Sequence, residues 1–125
     1  MADALCPCCS EKPFARCCQP YLTGKAKPRT VKQLMRSRYT AYALGGYGEY
    51  LLATWLPSNR PQESAQSLSM KTVNWQGLTI LDSSQQGNKG AVDFEARYLD
   101  GKGQEKVHRE QSVFVRHKGL WYYVD

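Results

Sequence analysis

Val92-Asp93-Phe94-Glu95-Ala96-Arg97-Tyr98, then Asp100-Gly101-Lys102-Gly103, then Val107 to Val115, is the stretch that decides the fold. Apolar side chains at 92, 94, 96 and 98 alternate with charged ones at 93, 95 and 97, the period-two pattern of a strand with one buried face. Asp-Gly-Lys-Gly is a strong hairpin turn, and Val107 to Val115 beyond it is the long return strand. Working upstream, Val73, Trp75, Leu78 and Ile80 begin an earlier strand whose alternation slips near Gly77, as a bulge would make it. Gln85–Gly90 reads as the turn that follows. Downstream, Lys118-Gly119 turns into Trp121–Val124. Everything from Lys71 onward is therefore an antiparallel meander.

The segment before the meander has a helical period. Thr30 is an N-cap with Gln33 three residues on, a capping-box pattern, and Val31, Leu34, Met35, Tyr39 and Tyr42 then recur on one face. Gly45-Gly46 stops that helix. Tyr47 to Leu56 reads as a second short helix, with Tyr47, Leu51 and Trp55 on one side and Pro57 at its end. Ser58–Met70 is polar, an irregular loop with one helical turn around Pro61–Ser67. Helices first and antiparallel strands after define an α+β domain, with the sheet curled around the first helix.

Register gives one expectation about chemistry. With an even turn at 100–103, the polar face of Asp93, Glu95 and Arg97 shares a side with His108 and Glu110, and that face extends to Ser112. Arg97, His108, Glu110 and Ser112 then form a candidate pocket of the kind proton transfer needs. The plainer outcome is a solvated face, with Arg97 and Glu110 a surface ion pair worth under roughly 1 kcal/mol. His108 and His117 fall on opposite faces and do not share a metal.

All five cysteines, Cys6, Cys8, Cys9, Cys17 and Cys18, lie in the first eighteen residues. A disulfide framework spreads its cysteines. Here neighbours such as Cys17 and Cys18 bridge only with strain, and an odd count leaves one over. Two close pairs joined by a short loop supply instead the four soft ligands of a tetrahedral zinc knuckle, taken as Cys6, Cys8, Cys17 and Cys18. Cys9 is the spare thiol, or a competitor of Cys8. Lys12 and Arg16 lie between the pairs and favour the thiolate forms, and Ser10 can donate to a sulfur. Four protein ligands leave no open position, so the Zn2+ expected here is structural rather than catalytic.

Cys6-Pro7-Cys8-Cys9-Ser10-Glu11-Lys12 … Cys17-Cys18 resembles the SEC-C zinc motif first described at the C-terminal end of the SecA translocase, with Cys9 and Glu11 standing where glycine is usual. Leu34-Met35-Arg36-Ser37-Arg38-Tyr39-x-Ala41-Tyr42, Thr54-Trp55-x-Pro57 and Gly119-x-Trp121-Tyr122-Tyr123-Val124-Asp125 extend the likeness over essentially the whole chain. Together they resemble the YchJ family of small bacterial proteins. That resemblance implies a SEC-C-like motif and basic linker over 1–27, and a cone-shaped, cystatin-like domain of the nuclear transport factor 2 type over 28–125. In SecA the related motif contacts a chaperone and the ribosome, so a protein, ribosome or nucleic-acid partner is what it implies for Cys6–Lys27.

Charge points the same way. Of the net +6, all resides in residues 1–40, where eight Lys and Arg face Asp3 and Glu11. Phosphate contacts come from such clusters, although no aromatic residue interleaves with the bases between 24 and 38, as stacking on single strands would need; the plainer reading is a solvated linker with ordinary helix charges. No phosphate loop or nucleophile elbow occurs. No apolar run approaches a membrane span, Met1–Ala4 is too short and polar for a leader, and clustered reduced thiols fit the cytoplasm. The expectation is a zinc-binding, noncatalytic interaction module that can pair with a second copy through its sheet. A small-molecule enzyme of isomerase or hydrolase type is the alternative.

Overall fold

The computed structural model describes residues 4–125. The first three residues of the 1–27 segment, and most of the Met1–Ala4 leader reading, lie outside them. A 3-10 turn at Phe14–Arg16 leads into α1 (Gln19–Leu22), followed by α2 (Val31–Leu44), α3 (Gly48–Ala53), a 3-10 turn at Pro57–Asn59 and α4 (Ala65–Leu68). Four strands complete the chain: β1 (Asn74–Gln86), β2 (Lys89–Leu99), β3 (Glu105–His117) and β4 (Leu120–Tyr123). They form one antiparallel sheet in the order β1-β2-β3-β4. The fold is α+β, helices ahead of an antiparallel meander. Among the described residues no helix is long and apolar enough to cross a membrane.

The long helix α2 forms as its cap pattern dictates. Thr30 accepts the Gln33 backbone N–H at 3.1 Å, while Gln33 returns its side-chain oxygen to the Arg29 N–H at 2.7 Å. A third tie comes from the sheet: Gln85 of β1 accepts the Val31 N–H at 2.8 Å. Gly45, at φ +74°, ends the helix in a conformation glycine adopts without strain. Val31, Leu34, Met35 and Tyr39 are buried against Leu78, Val92, Phe94, Ala96, Phe114 and Trp121 on the inner face of the sheet.

Three expectations need correction. Residues 54–56 leave α3, which ends at Ala53; Trp55 instead bridges Tyr123, and Leu56 donates to the Tyr123 carbonyl at 2.8 Å. Extended backbone there gains hydrogen bonds from β4 that another helical turn would forgo. The turn after β1 is also shorter than Gln85–Gly90, because Gln86 pairs with Lys89 and leaves only Gly87, at φ +61°, and Asn88.

The third correction concerns register. Leu99 pairs with Glu105, so the β2–β3 connection has five residues, an odd number. Asp100 builds it, its carboxylate accepting the N–H groups of Lys102 at 2.8 Å and Gln104 at 3.0 Å, with Gly103 at φ +77°. An odd loop moves every partner by one residue relative to an even one. His108 therefore faces Ala96, Glu110 faces Phe94 and Ser112 faces Val92, all on the inner face, while Arg97 pairs with Val107 on the outer face. The expected slip near Gly77 is present, between Trp75 and Gly77.

Candidate metal centre

The chain folds its N-terminus into two tight turns. Cys6 and Lys12 are tied by a backbone bond of 2.9 Å, and the Cys9 N–H reaches back to the Cys6 carbonyl at 3.2 Å. The 3-10 turn at Phe14–Arg16 then brings Cys17 and Cys18 under the first pair. The sulfurs of Cys6, Cys8, Cys17 and Cys18 all lie within 4.8 Å of one another, with Cys8 to Cys17 at 3.6 Å and Cys17 to Cys18 at 4.0 Å. A tetrahedral thiolate site with metal–sulfur bonds of about 2.3 Å requires sulfur separations of about 3.8 Å. Four clustered soft donors at this spacing are consistent with a metal site.

Protein groups surround the sulfurs. Ser10 Oγ lies 3.1 Å from the Cys17 sulfur, and because it accepts the Lys12 N–H at 3.2 Å its own hydrogen is free to donate. Thr40 of α2 donates to the Cys18 sulfur at 3.3 Å. Arg36, one turn earlier on α2, donates from Nη1 to the Cys8 carbonyl at 2.7 Å. Such groups orient metal ligands and temper their charge. Arg36 and Thr40 were missed from sequence because their targets lie 28 and 22 residues away; their i, i+4 spacing, which places both on one helix face, was the available signal.

Crowding also perturbs the thiols. Hydrogen bonds from Cys18 and Cys6 hold Cys8 well below the ordinary thiol range, whereas Cys18, bonded to Cys6 and Cys8, is pushed far above it. One sulfur ionises readily and a neighbour keeps its proton. A cation bound among them would let the remaining sulfurs ionise together. Cys9 stands outside the set: it is exposed, and its sulfur accepts the Leu78 N–H at 3.5 Å.

The residues expected in a sheet pocket divide. Ser112 is buried and lies, with the half-exposed His108 and Glu110, beside an inner cavity bordered by Phe94 and Ala96. Arg97 does not join them. It donates to Thr79 at 2.9 Å on the outer face, and the ion pair formed there is Arg109 with Asp93 at 3.1 Å. Arg38, one of the eight basic residues in 1–40, is only 3% exposed.

These features define a class: a helix-wrapped antiparallel sheet bearing an N-terminal four-cysteine knuckle. The profile of the family described as "YchJ, middle NTF2-like domain" matches residues 30–125, and the chain belongs to that family. It is 44% identical to a UPF0225 protein of Pectobacterium carotovorum, covering 96% of this chain and 81% of that one. It is equally 44% identical to a UPF0225 protein of Chromobacterium violaceum, covering 98% and 92%. Among solved structures it resembles a SEC-C motif containing protein from Rhodopseudomonas palustris (TM-score 0.88, 35% identity, 98% and 96% covered). A second SEC-C motif containing protein, from Psychrobacter arcticus, superposes with a TM-score of 0.83 at 27% identity, covering 97% and 80%.

Proposed function

We propose that Cys6, Cys8, Cys17 and Cys18 hold one structural Zn2+, and that the closed knuckle is a noncatalytic docking module for a phosphate-rich partner, the ribosome or another nucleic acid, in the cytoplasm. Four thiolates fill the coordination of zinc and leave no place for water or substrate. The observation that carries the docking role is a cleft of about 420 Å³ beside Cys17, into which Lys12, Arg16, Lys32 and Arg36 converge with no acidic residue among its walls. Lys12, Arg16 and Lys32 are exposed. A cationic cleft of this kind attracts phosphates and releases their counterions. The enzyme alternative loses support, since Arg97 sits across the sheet from His108 and Glu110.

Two measurements test the proposal. Native mass spectrometry of protein purified without added metal should find one zinc per chain, with four thiols protected and Cys9 reactive. Five reactive thiols and no metal would sink the zinc assignment. Co-sedimentation with ribosomes should occur at about 50 mM salt and disappear near about 500 mM. Lys12→Glu with Arg16→Glu should abolish it without loss of zinc; pelleting that ignores both salt and charge reversal refutes docking through the cleft.

A further inference from the structure

Arg38 carries a buried charge, yet among the described residues neither ion pair involves it. Both of its hydrogen bonds leave from Nη1, to the Leu51 carbonyl and to Thr54 Oγ1, each 2.7 Å. Its guanidinium carbon lies 4.8 Å from the Trp55 ring and 4.4 Å from the Tyr123 ring. Aromatic faces offset part of the desolvation of a cation, and the Tyr42 hydroxyl is a further hydrogen-bonding neighbour, but none of these groups supplies a counter-charge.

The same side chain borders the cavity between α2 and the sheet. This space measures about 220 Å³, is walled chiefly by Tyr39, Trp75, Phe94 and Tyr123, and includes the buried Ser112. It equals the liquid volume of about seven waters, which admits a small molecule and no more. His108 and Glu110 stand half exposed at its mouth, 3.4 Å apart.

We propose that this cavity binds a small planar monocarboxylate, its apolar body against Trp75 and Phe94 and its carboxylate hydrogen-bonded to Arg38. Three features select that chemistry. The buried cation calls for one anion, and a guanidinium pairs best with a planar two-oxygen group. The aromatic walls call for an apolar body. Glu110 at the mouth opposes a second negative charge, which excludes dicarboxylates and nucleotide phosphates. The site is independent of the knuckle and of any docking partner.

Benzoate and its neutral counterpart benzamide separate the possibilities. Each is titrated at constant ionic strength into the full zinc-loaded chain while the methyl NMR signals of Met35 and Ala96 are followed. Benzoate should saturate with a Kd on the order of 1 mM or tighter, and benzamide should bind at least about tenfold more weakly. Arg38 also ties α2 to α3, so its replacement confounds binding with folding, and two other variants carry the test. Glu110→Gln should tighten benzoate by about twofold or more. Ala96→Leu, which fills the cavity and leaves Arg38 in place, should abolish binding. Absence of a saturable benzoate response, equal binding of benzoate and benzamide, or undiminished binding to folded Ala96→Leu would each overturn the proposal.

Discussion

Cys9 and Glu11 hold the backbone at φ +64° and +69°, the left-handed region that favours glycine. Their side chains crowd the following carbonyls, a penalty of about 1–2 kcal/mol per residue, part of which glycine returns through greater unfolded-state freedom. Cys9→Gly and Glu11→Gly should therefore each stabilise the metal-loaded protein by about 0.5–1 kcal/mol, a rise in Tm of about 2–4 °C in calorimetry; a fall in Tm would contradict the strain. At the same scale, burial pushes Tyr39 and Tyr50 up to about 12. Both remain neutral in the folded chain while the unfolded chain ionises them near pH 10. Their contribution is fully present below about pH 10 and is lost as the pH rises toward 12. Circular dichroism against pH should show alkaline unfolding in that window, accompanied by phenolate absorbance from all eight tyrosines; all eight ionising near pH 10 with the fold intact would refute it.

Elements fit together through contacts that sequence shows unevenly. A Cβ added at Gly48, the first residue of α3, would run into the Ala65 carbonyl of α4, and backbone cannot move aside as a side-chain tip can. Gly48→Ala should destabilise by about 1–3 kcal/mol in chemical denaturation, whereas Gly101→Ala, with open space around it and no left-handed backbone, should fall short of that. The capped helix α2 and the β2–β3 hairpin were legible because their signals are local: a cap three residues from its partner, an alternation, a turn. The four sulfurs were legible for the same reason, since they span only thirteen positions. What escaped was parity. One residue in the loop after Leu99 decides which face Arg97 occupies, and Asp100 can close either an even or an odd loop. The burial of Arg38 escaped too, because its aromatic neighbours Trp55 and Tyr123 lie 17 and 85 positions further along the chain.

Across the whole molecule, knuckle and domain form one body. Cys6, Cys8 and Cys18 are buried in the same cluster as α2 and the inner sheet face, and α2 touches both the sulfurs and the strands. A metal bound by these sulfurs would therefore be coupled to folding of the entire chain rather than of a tail. Chelation should lower the Tm of a single cooperative transition, followed by tryptophan fluorescence at Trp75 and Trp121; a knuckle melting alone, with the sheet transition unmoved, would show the two to be independent. Protons compete for the same sulfurs, so the chelator concentration needed should fall as the pH is lowered.

The sulfur of Cys9 meeting the Leu78 N–H has a consequence of another kind. In the order β1-β2-β3-β4, β1 is a border strand, and its outward N–H groups are a template on which another chain can add a strand. Through the Cys9–Leu78 contact the knuckle covers part of that border, and a metal held by its four sulfurs would keep that contact in place. Stripping the metal would then expose a fibril-seeding edge, and metal supply would govern not only stability but the resistance of this protein to polymerising with itself.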